Sequence, residues 1–297
     1  MLNRRPSVYI SIRGADHSTA GGSNTFAWNM SRYLIKKNIP LASSILNASH
    51  AIVIADKVNL TVLKIAKTMG CFILHRLDED FVSPDALTLK HQKIIKINAY
   101  ADTTIFQSNF VKDNLLQYLH PNNWSVIING ADPHIFKFHN QLGTYLGNIT
   151  NSVGEKKRLD LLNQTIINYP DQSFLLIGNH HKTNINLLKH PNVTAVGHVP
   201  KTELPQYHQR MKCLYFPSQR DPCPNTVVEA VISGVPVCYH PDGGTKEIVQ
   251  DCGLPLERFD ELLANLPLFH ERCKNRQDLY FESVASNYMD QLNLRCD

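Results

Sequence analysis

Short apolar runs alternate with amphipathic stretches along almost the whole chain. Residues 7–12 are β-branched, brief and bounded by polar positions, the pattern of a strand covered on both faces. A small-residue stretch, Ala20-Gly21-Gly22-Ser23, follows. From 24 to 37 the apolar positions recur with helical spacing, placing Phe26, Met30, Tyr33 and Leu34 on one side. The same alternation predicts strands at 51–55, 71–74 and 103–107, with helices at 58–69, 86–100 and 109–119. A strand at 124–128 then stops at Asn129-Gly130, a turn pair.

The pattern restarts at Tyr145-Leu146. Further strands are expected at 173–177, 193–196, 213–216 and 235–239, and helices at 157–169, 202–211, 226–233 and 245–249. This order predicts an α/β protein with two Rossmann-like, doubly wound parallel-sheet domains facing a cleft. The proline-containing segment 132–142 is the expected linker, giving domains of 1–137 and 138–276. A last helix from 277 is expected to pack back on the first domain, within 277–297. Ligands of such sheets bind outside the carboxyl ends of the strands.

The length of 297 residues suits two domains of ordinary size. Hydrophobic residues at 43% and charged residues at 19% exclude disorder. The net charge of +4, with 14 histidines counted neutral, suits an anionic ligand such as a diphosphate. It does not point to nucleic acid, whose binders concentrate Lys and Arg on one face. The segment with Lys90, His91, Lys93 and Lys96, like Arg32, Lys36 and Lys37, reads either as a solvated face or as a weak peripheral contact with anionic lipid.

Seven cysteines without a Cys-x-x-Cys pair argue against a disulfide framework and a structural zinc site. No run reaches the ~18 apolar residues of a membrane span, and the N-terminus lacks a signal-peptide core. The expected location is the cytoplasm, at most peripheral on the inner face of a membrane. His180-His181 reads as a solvated loop pair rather than a metal site.

The chemistry concentrates between Phe216 and Val249. The stretch Asp221-Pro222-Cys223-Pro224-Asn225-Thr226-Val227-Val228-Glu229 leaves a strand and enters a helix. Two acids, Asp221 and Glu229, lie on the loop and in the second helical turn. Pro222 and Pro224 carry no N–H, so Cys223, Asn225 and Thr226 are the candidate main-chain donors to an anion at the helix start. Glu229 can accept from two vicinal hydroxyls, as a ribose offers, at about 1.5–3 kcal/mol per charged hydrogen bond. Gly243-Gly244 after the next strand reads as a second anion site, or as a tight turn with Thr245 as N-cap.

The whole stretch resembles the retaining GT-B glycosyltransferases of the family-4 (group 1) type. Their signature is an acid, seven residues and a Glu, then a Gly-x-Pro-Val strand and a Gly-Gly-x-x-Glu turn. Here these are Asp221, Glu229, Gly234-Val235-Pro236-Val237 and Gly243-Gly244-Thr245-Lys246-Glu247. Gly21 and Gly22 resemble the glycine-rich loop that approaches the donor. Ile127-Ile128-Asn129-Gly130-Ala131-Asp132 with Phe136 resembles the segment ending the first domain. Lys157-Arg158-Leu159 resembles the diphosphate-facing helix start, and Gly197-His198 the strand end beside the nucleobase.

The resemblance implies a hexosyltransferase that takes a sugar from a UDP-, GDP- or ADP-linked donor to a glycan, lipid or other hydroxyl acceptor. It implies no covalent cofactor and no tightly bound metal. Asp221 takes the place of the acid at the donor sugar, one methylene shorter than the usual Glu. Glu229 takes that of the ribose acid, and Lys157, with Arg158, that of the diphosphate clamp. Asn148 stands where the family has an arginine. His75 is the candidate for the histidine beside the sugar, and Asp78 a lesser one for the acceptor. The departures keep a second class open, a degenerate nucleotide-sugar binding module without turnover; a sugar-nucleotide epimerase is a third.

Overall fold

The computed structural model describes residues 6–15, 21–81 and 87–294. Ala20, the expected helix start at Ala86, and Cys296 lie outside these. The chain divides into two units, Met1–Asn129 with Phe281–Asp297, and Gly130–Tyr280.

The first unit carries strands β1 (Val8–Ile10), β2 (His50–Ile54), β3 (Phe72–Leu77), β4 (Thr103–Phe106) and β5 (Trp124–Val126). They form one parallel sheet in sequential order. Helices α1 (Gly22–Lys36), α2 (Leu60–Thr68), α3 (Leu89–Asn98) and α4 (Asn109–Leu115) connect them. Alternate side chains of a strand face opposite ways, and the two cores follow that rule. Ile52, Ile54 and Leu74 pack with α1 and α4. Ala51, Val53 and Ile73 pack with Leu63 and Ala66 of α2 and with Ile97 of α3. Asn59, Thr88 and Ser108 cap α2, α3 and α4 with their side chains, each meeting amides that a helix start leaves unbonded.

Val8 also forms a parallel bridge with Leu41, with Val8 N donating to Pro40 O and Ala42 N to Val8 O, both at 2.9 Å. β1 therefore has β2 on one side and residues 40–42 on the other. The chain reverses its lateral direction there, which makes β1 the switch point of this sheet.

The second unit holds β6 (Tyr145–Thr150), α5 (Leu159–Asn168), β7 (Phe174–Gly178), β8 (Val193–Gly197), α6 (Leu204–His208) and β9 (Met211–Phe216). It continues through α7 (Asn225–Ile232), β10 (Val237–Tyr239), α8 (Thr245–Val249), β11 (Gly253–Pro255), α9 (Phe259–Ala264) and α10 (Leu266–Cys273). The six strands are parallel in the order β11-β10-β9-β6-β7-β8. That is the doubly wound order, with its reversal between β6 and β9. Leu146, Phe174, Leu176, Cys213 and Tyr215 form one core with α5, α9 and α10. Helices α7 and α8 pack beside β9 and β10.

The last helix, α11 (Phe281–Gln291), belongs to the first unit. Its Tyr288 and Phe281 meet Phe26 of α1 at ring separations of 4.9 and 6.2 Å. Val284, Ala285, Met289 and Leu292 join the same core. Among the described residues, the six cysteines are buried and no helix is long and apolar enough to cross a membrane.

Candidate functional site

The acids singled out in the sequence lie at the carboxyl end of the second sheet, where the strand order reverses. β9 ends at Phe216, and the loop to α7 is stitched to two neighbouring loops by main-chain bonds. Gln219 N donates to Lys156 O and Arg220 N to Asp242 O, both at 2.7 Å. Asp221 bridges Gly243, and Gly244 N donates to Asp221 O at 2.9 Å. Arg158, Arg220 and Gly243 have φ values of 45°, 53° and 133°. The last favours glycine, and a Cβ there would lie 3.0 Å from Asp221 N and O.

Side chains reinforce the seam. Lys157 Nζ donates to Asp221 Oδ2 at 3.0 Å, and both are partly exposed. Lys157 also lies 5.8 Å from the centre of the Phe216 ring. Arg158 Nη2 pairs with Asp160 Oδ2 at 2.8 Å and holds that carboxyl below its ordinary range. Its Nη1 donates to Gln219 Oε1 at 3.4 Å, while Gln219 Nε2 donates to Asp242 Oδ2 at 3.0 Å. Gln219 is thus a connector among the three loops, and no motif in the sequence pointed to it.

Helix α7 opens on Pro224, whose carbonyl accepts from Val227 N and Val228 N. The amides of Asn225 and Thr226 precede that first helical bond, as a helix start requires. Cys223 is buried just ahead of them. Glu229 is 4% exposed, and its Oε1 lies 2.6 Å from Lys201 Nζ. Lys201 opens the short turn Lys201–Glu203 after β8 and was not among the sequence candidates. At α8 the N-cap is Gly244 rather than the expected Thr245. Thr245 is the first helical residue, and its buried Oγ1 makes no hydrogen bond. His198 stands exposed at the end of β8.

Two histidine expectations are corrected, and Asn148 is placed in the core. Asn148 presents no side chain to a ligand: it is 3% exposed, donates to Tyr215 O at 2.8 Å and accepts from His180 Nε2 at 2.7 Å. His180 is therefore not half of a solvated pair, since burial encloses it and pushes its pKa down to about 4. His75 is fully buried in β3. Asn98 Nδ2 donates to its Nδ1 at 3.1 Å, so its Nε2–H donates to Ala55 O at 2.9 Å. Burial lowers its pKa to about 4, and neither ring nitrogen is left for a sugar.

In the first unit, Gly21 is the N-cap of α1 with φ 103°, and Gly22 is its first residue. Ser23 Oγ ties that helix start to Asp78 Oδ2 at 2.8 Å. Asp78 in turn lies 3.4 Å from Arg76, whose guanidinium is fully buried, 2.9 Å from Asn129 Oδ1 and 4.1 Å from the Phe26 ring centre. Gly21, Gly22, His75 and Asp78 thus belong to this unit, and the other donor-site candidates belong to the second.

Residues 141–265 match the family described as glycosyl transferases group 1. No curated protein matches the chain in sequence. Among solved structures, the chain is similar to a sucrose-phosphate synthase from Thermosynechococcus elongatus, with a TM-score of 0.77, 14% identity and 98% of each chain covered. The Anabaena protein Alr3699/HepE in complex with UDP matches with a TM-score of 0.75 and 13% identity, covering 97% of this chain and 99% of that one. AviGT4, a glycosyltransferase involved in avilamycin A biosynthesis, matches with a TM-score of 0.67 and 13% identity over 98% and 97%. Two parallel-sheet α/β domains and structural neighbours of this kind together show that the chain has the GT-B fold, with residues 141–265 matching the glycosyl transferases group 1 model.

Proposed function

We propose that this protein is a retaining glycosyltransferase of the family-4 type, moving a hexosyl unit from a nucleotide-diphosphate sugar to a hydroxyl on a glycan, lipid or other acceptor. The supporting observation is the seam at the sheet reversal, where Lys157 holds Asp221 at 3.0 Å and Asp221 is bonded to Gly244. A donor diphosphate entering there competes with Asp221 for the Lys157 ammonium. Lys157 then neutralises the phosphate, and Asp221 is released toward the sugar. The amides of Asn225 and Thr226 face the same anion at the start of α7. Gly243 and Gly244 shape the second loop, and Glu229 takes the ribose.

Fixed positive charge placed where the leaving diphosphate develops its own charge is a large catalytic contribution. In this reading Lys157 and Arg158 supply it without a tightly bound metal, so activity persists in excess EDTA. The Anabaena structures with UDP and UDP-glucose make UDP-linked sugars the first donors to test. The second reading, a nucleotide-sugar binding module without turnover, is favoured by one observation. Asn148 is turned into the core, and no arginine stands at that position.

A thermal-shift screen over UDP, GDP and ADP sugars comes first, because a ligand bound only by the folded form raises its stability. Transfer from the best donor to an acceptor panel then separates the readings. Binding with neither transfer nor hydrolysis selects the module, and donor conversion without an acceptor selects an epimerase. If no nucleotide sugar stabilises the protein, the proposal is lost. Asp221→Asn is expected to lower kcat by roughly 100-fold or more while donor affinity changes only a few-fold, as for a group used in the transition state.

A further inference from the structure

Glu229 is itself buried in α7, and a carboxylate at that depth needs a partner. Lys201 supplies it from a different element, with Nζ 2.6 Å from Oε1 and the two side chains 23% and 5% exposed. The lysine is held in place. Glu203 N donates to Pro200 O at 2.9 Å, closing the turn that carries it. The helix that follows, α6, anchors His208 on Ser233 Oγ at 3.2 Å, and the His208 ring lies 5.7 Å from that of Phe136. Lys201 Nζ itself lies 5.6 Å from the centre of the buried Phe136 ring, a cation–π contact.

We propose that Lys201 is a specificity residue for the nucleoside, reading the ribose together with Glu229. The inference rests on the assignment of Glu229 as the ribose acid. A carboxylate only accepts hydrogen bonds and an ammonium only donates them. Two such atoms 2.6 Å apart form a pair whose spacing is close to that of the oxygens of a cis diol. One ribose hydroxyl donates to Glu229 and its neighbour accepts from Lys201. A nucleotide lacking either hydroxyl gives up one charged hydrogen bond in a largely buried setting, and sites built to bond a hydroxyl reject such analogues. The pair thereby selects ribonucleoside over 2′- or 3′-deoxyribonucleoside diphosphates.

The test measures calorimetric affinity for UDP, GDP and ADP, then for the 2′-deoxy counterpart of the tightest. The unaltered protein is expected to bind the 2′-deoxy compound about 10- to 100-fold more weakly, the range of one charged hydrogen bond. Equal affinity overturns the proposal without recourse to any variant. Lys201→Met keeps an unbranched apolar side chain and removes the ammonium. It is expected to weaken the ribonucleotide about 10-fold or more and to shrink the ribose-to-deoxyribose ratio toward one. In turnover, it is expected to raise KM for the donor with kcat nearly unchanged. A merely structural lysine would alter the melting temperature and leave that ratio intact, which also overturns the proposal. Glu229→Gln is the control. If it leaves nucleotide affinity unchanged, the ribose assignment itself fails; if it weakens binding while Lys201→Met leaves both affinity and ratio unchanged, only the role of Lys201 fails.

Discussion

Lys157 is bonded to Asp221, and that pairing makes its proposed part in diphosphate binding testable. Both side chains are partly exposed, so the ion pair itself contributes little to folding, roughly 0–1 kcal/mol. Lys157→Ala is therefore expected to leave the melting temperature within a few degrees. It is expected to weaken a nucleoside diphosphate by about 10-fold or more and the nucleoside hardly at all, the loss of one charged hydrogen bond to phosphate. Titration calorimetry with both ligands decides; equal losses would refute the charge role. His75 illustrates the opposite outcome. The sequence puts it just past an expected strand, which invites a catalytic reading, yet it lies inside β3, where burial and two fixed hydrogen bonds make it part of the core.

At the scale of elements, the site depends on loops that lock to one another. The 242–244 turn is bonded on both sides of Gly243, Asp242 O to Arg220 N and Gly244 N to Asp221 O, and the Gly243 φ of 133° favours glycine. Gly243→Ala would put a Cβ 3.0 Å from the Asp221 backbone, with a strain on the order of 1–3 kcal/mol. The loop is expected to shift instead, so nucleotide-sugar affinity and turnover fall together while the circular-dichroism spectrum is retained. The returning helix α11 is a second case. Tyr288 is 1% exposed with its ring tilted against that of Phe26, so Tyr288→Ala is expected to cost about 3–5 kcal/mol of stability in urea unfolding. A cost under about 1 kcal/mol would show that α11 is dispensable to the first unit.

For the whole molecule, three buried histidines set the acid limit. Burial lowers His75 and His180 to about 4 and His208 to about 3, against an ordinary value of 6.5. Each stays neutral in the folded chain and takes up a proton on unfolding below 6.5. Their stabilisation is therefore complete above pH 6.5 and is lost as the pH falls toward about 4, and for His208 toward about 3. At pH 5 each costs on the order of 2 kcal/mol relative to neutral pH. The unfolding midpoint is expected to drop steeply between pH 7 and pH 5, and a flat midpoint across that range would refute the linkage. His75 lies in the first unit and the other two in the second, so both units contribute.

The alternation of strand and helix, and with it two parallel sheets, was legible in the chain because a period of 2 or 3.6 and a turn residue are local properties. So was the run from Asp221 to Glu247, whose motif spacing spans two successive loop-to-helix segments joined by β10. The sequence reading did not identify β11, α9 or α10, where short elements leave little periodicity, nor the Leu41 bridge that makes β1 a switch point. The partners of the two acids were equally hidden. Lys157 is 64 positions from Asp221, and Lys201 reaches Glu229 from a turn after another strand. Strand order decides which distant side chains meet, and burial decides which polar groups, such as His75, Asn148 and His180, become structure rather than site. Both are consequences of packing across the sheet, which no local pattern records.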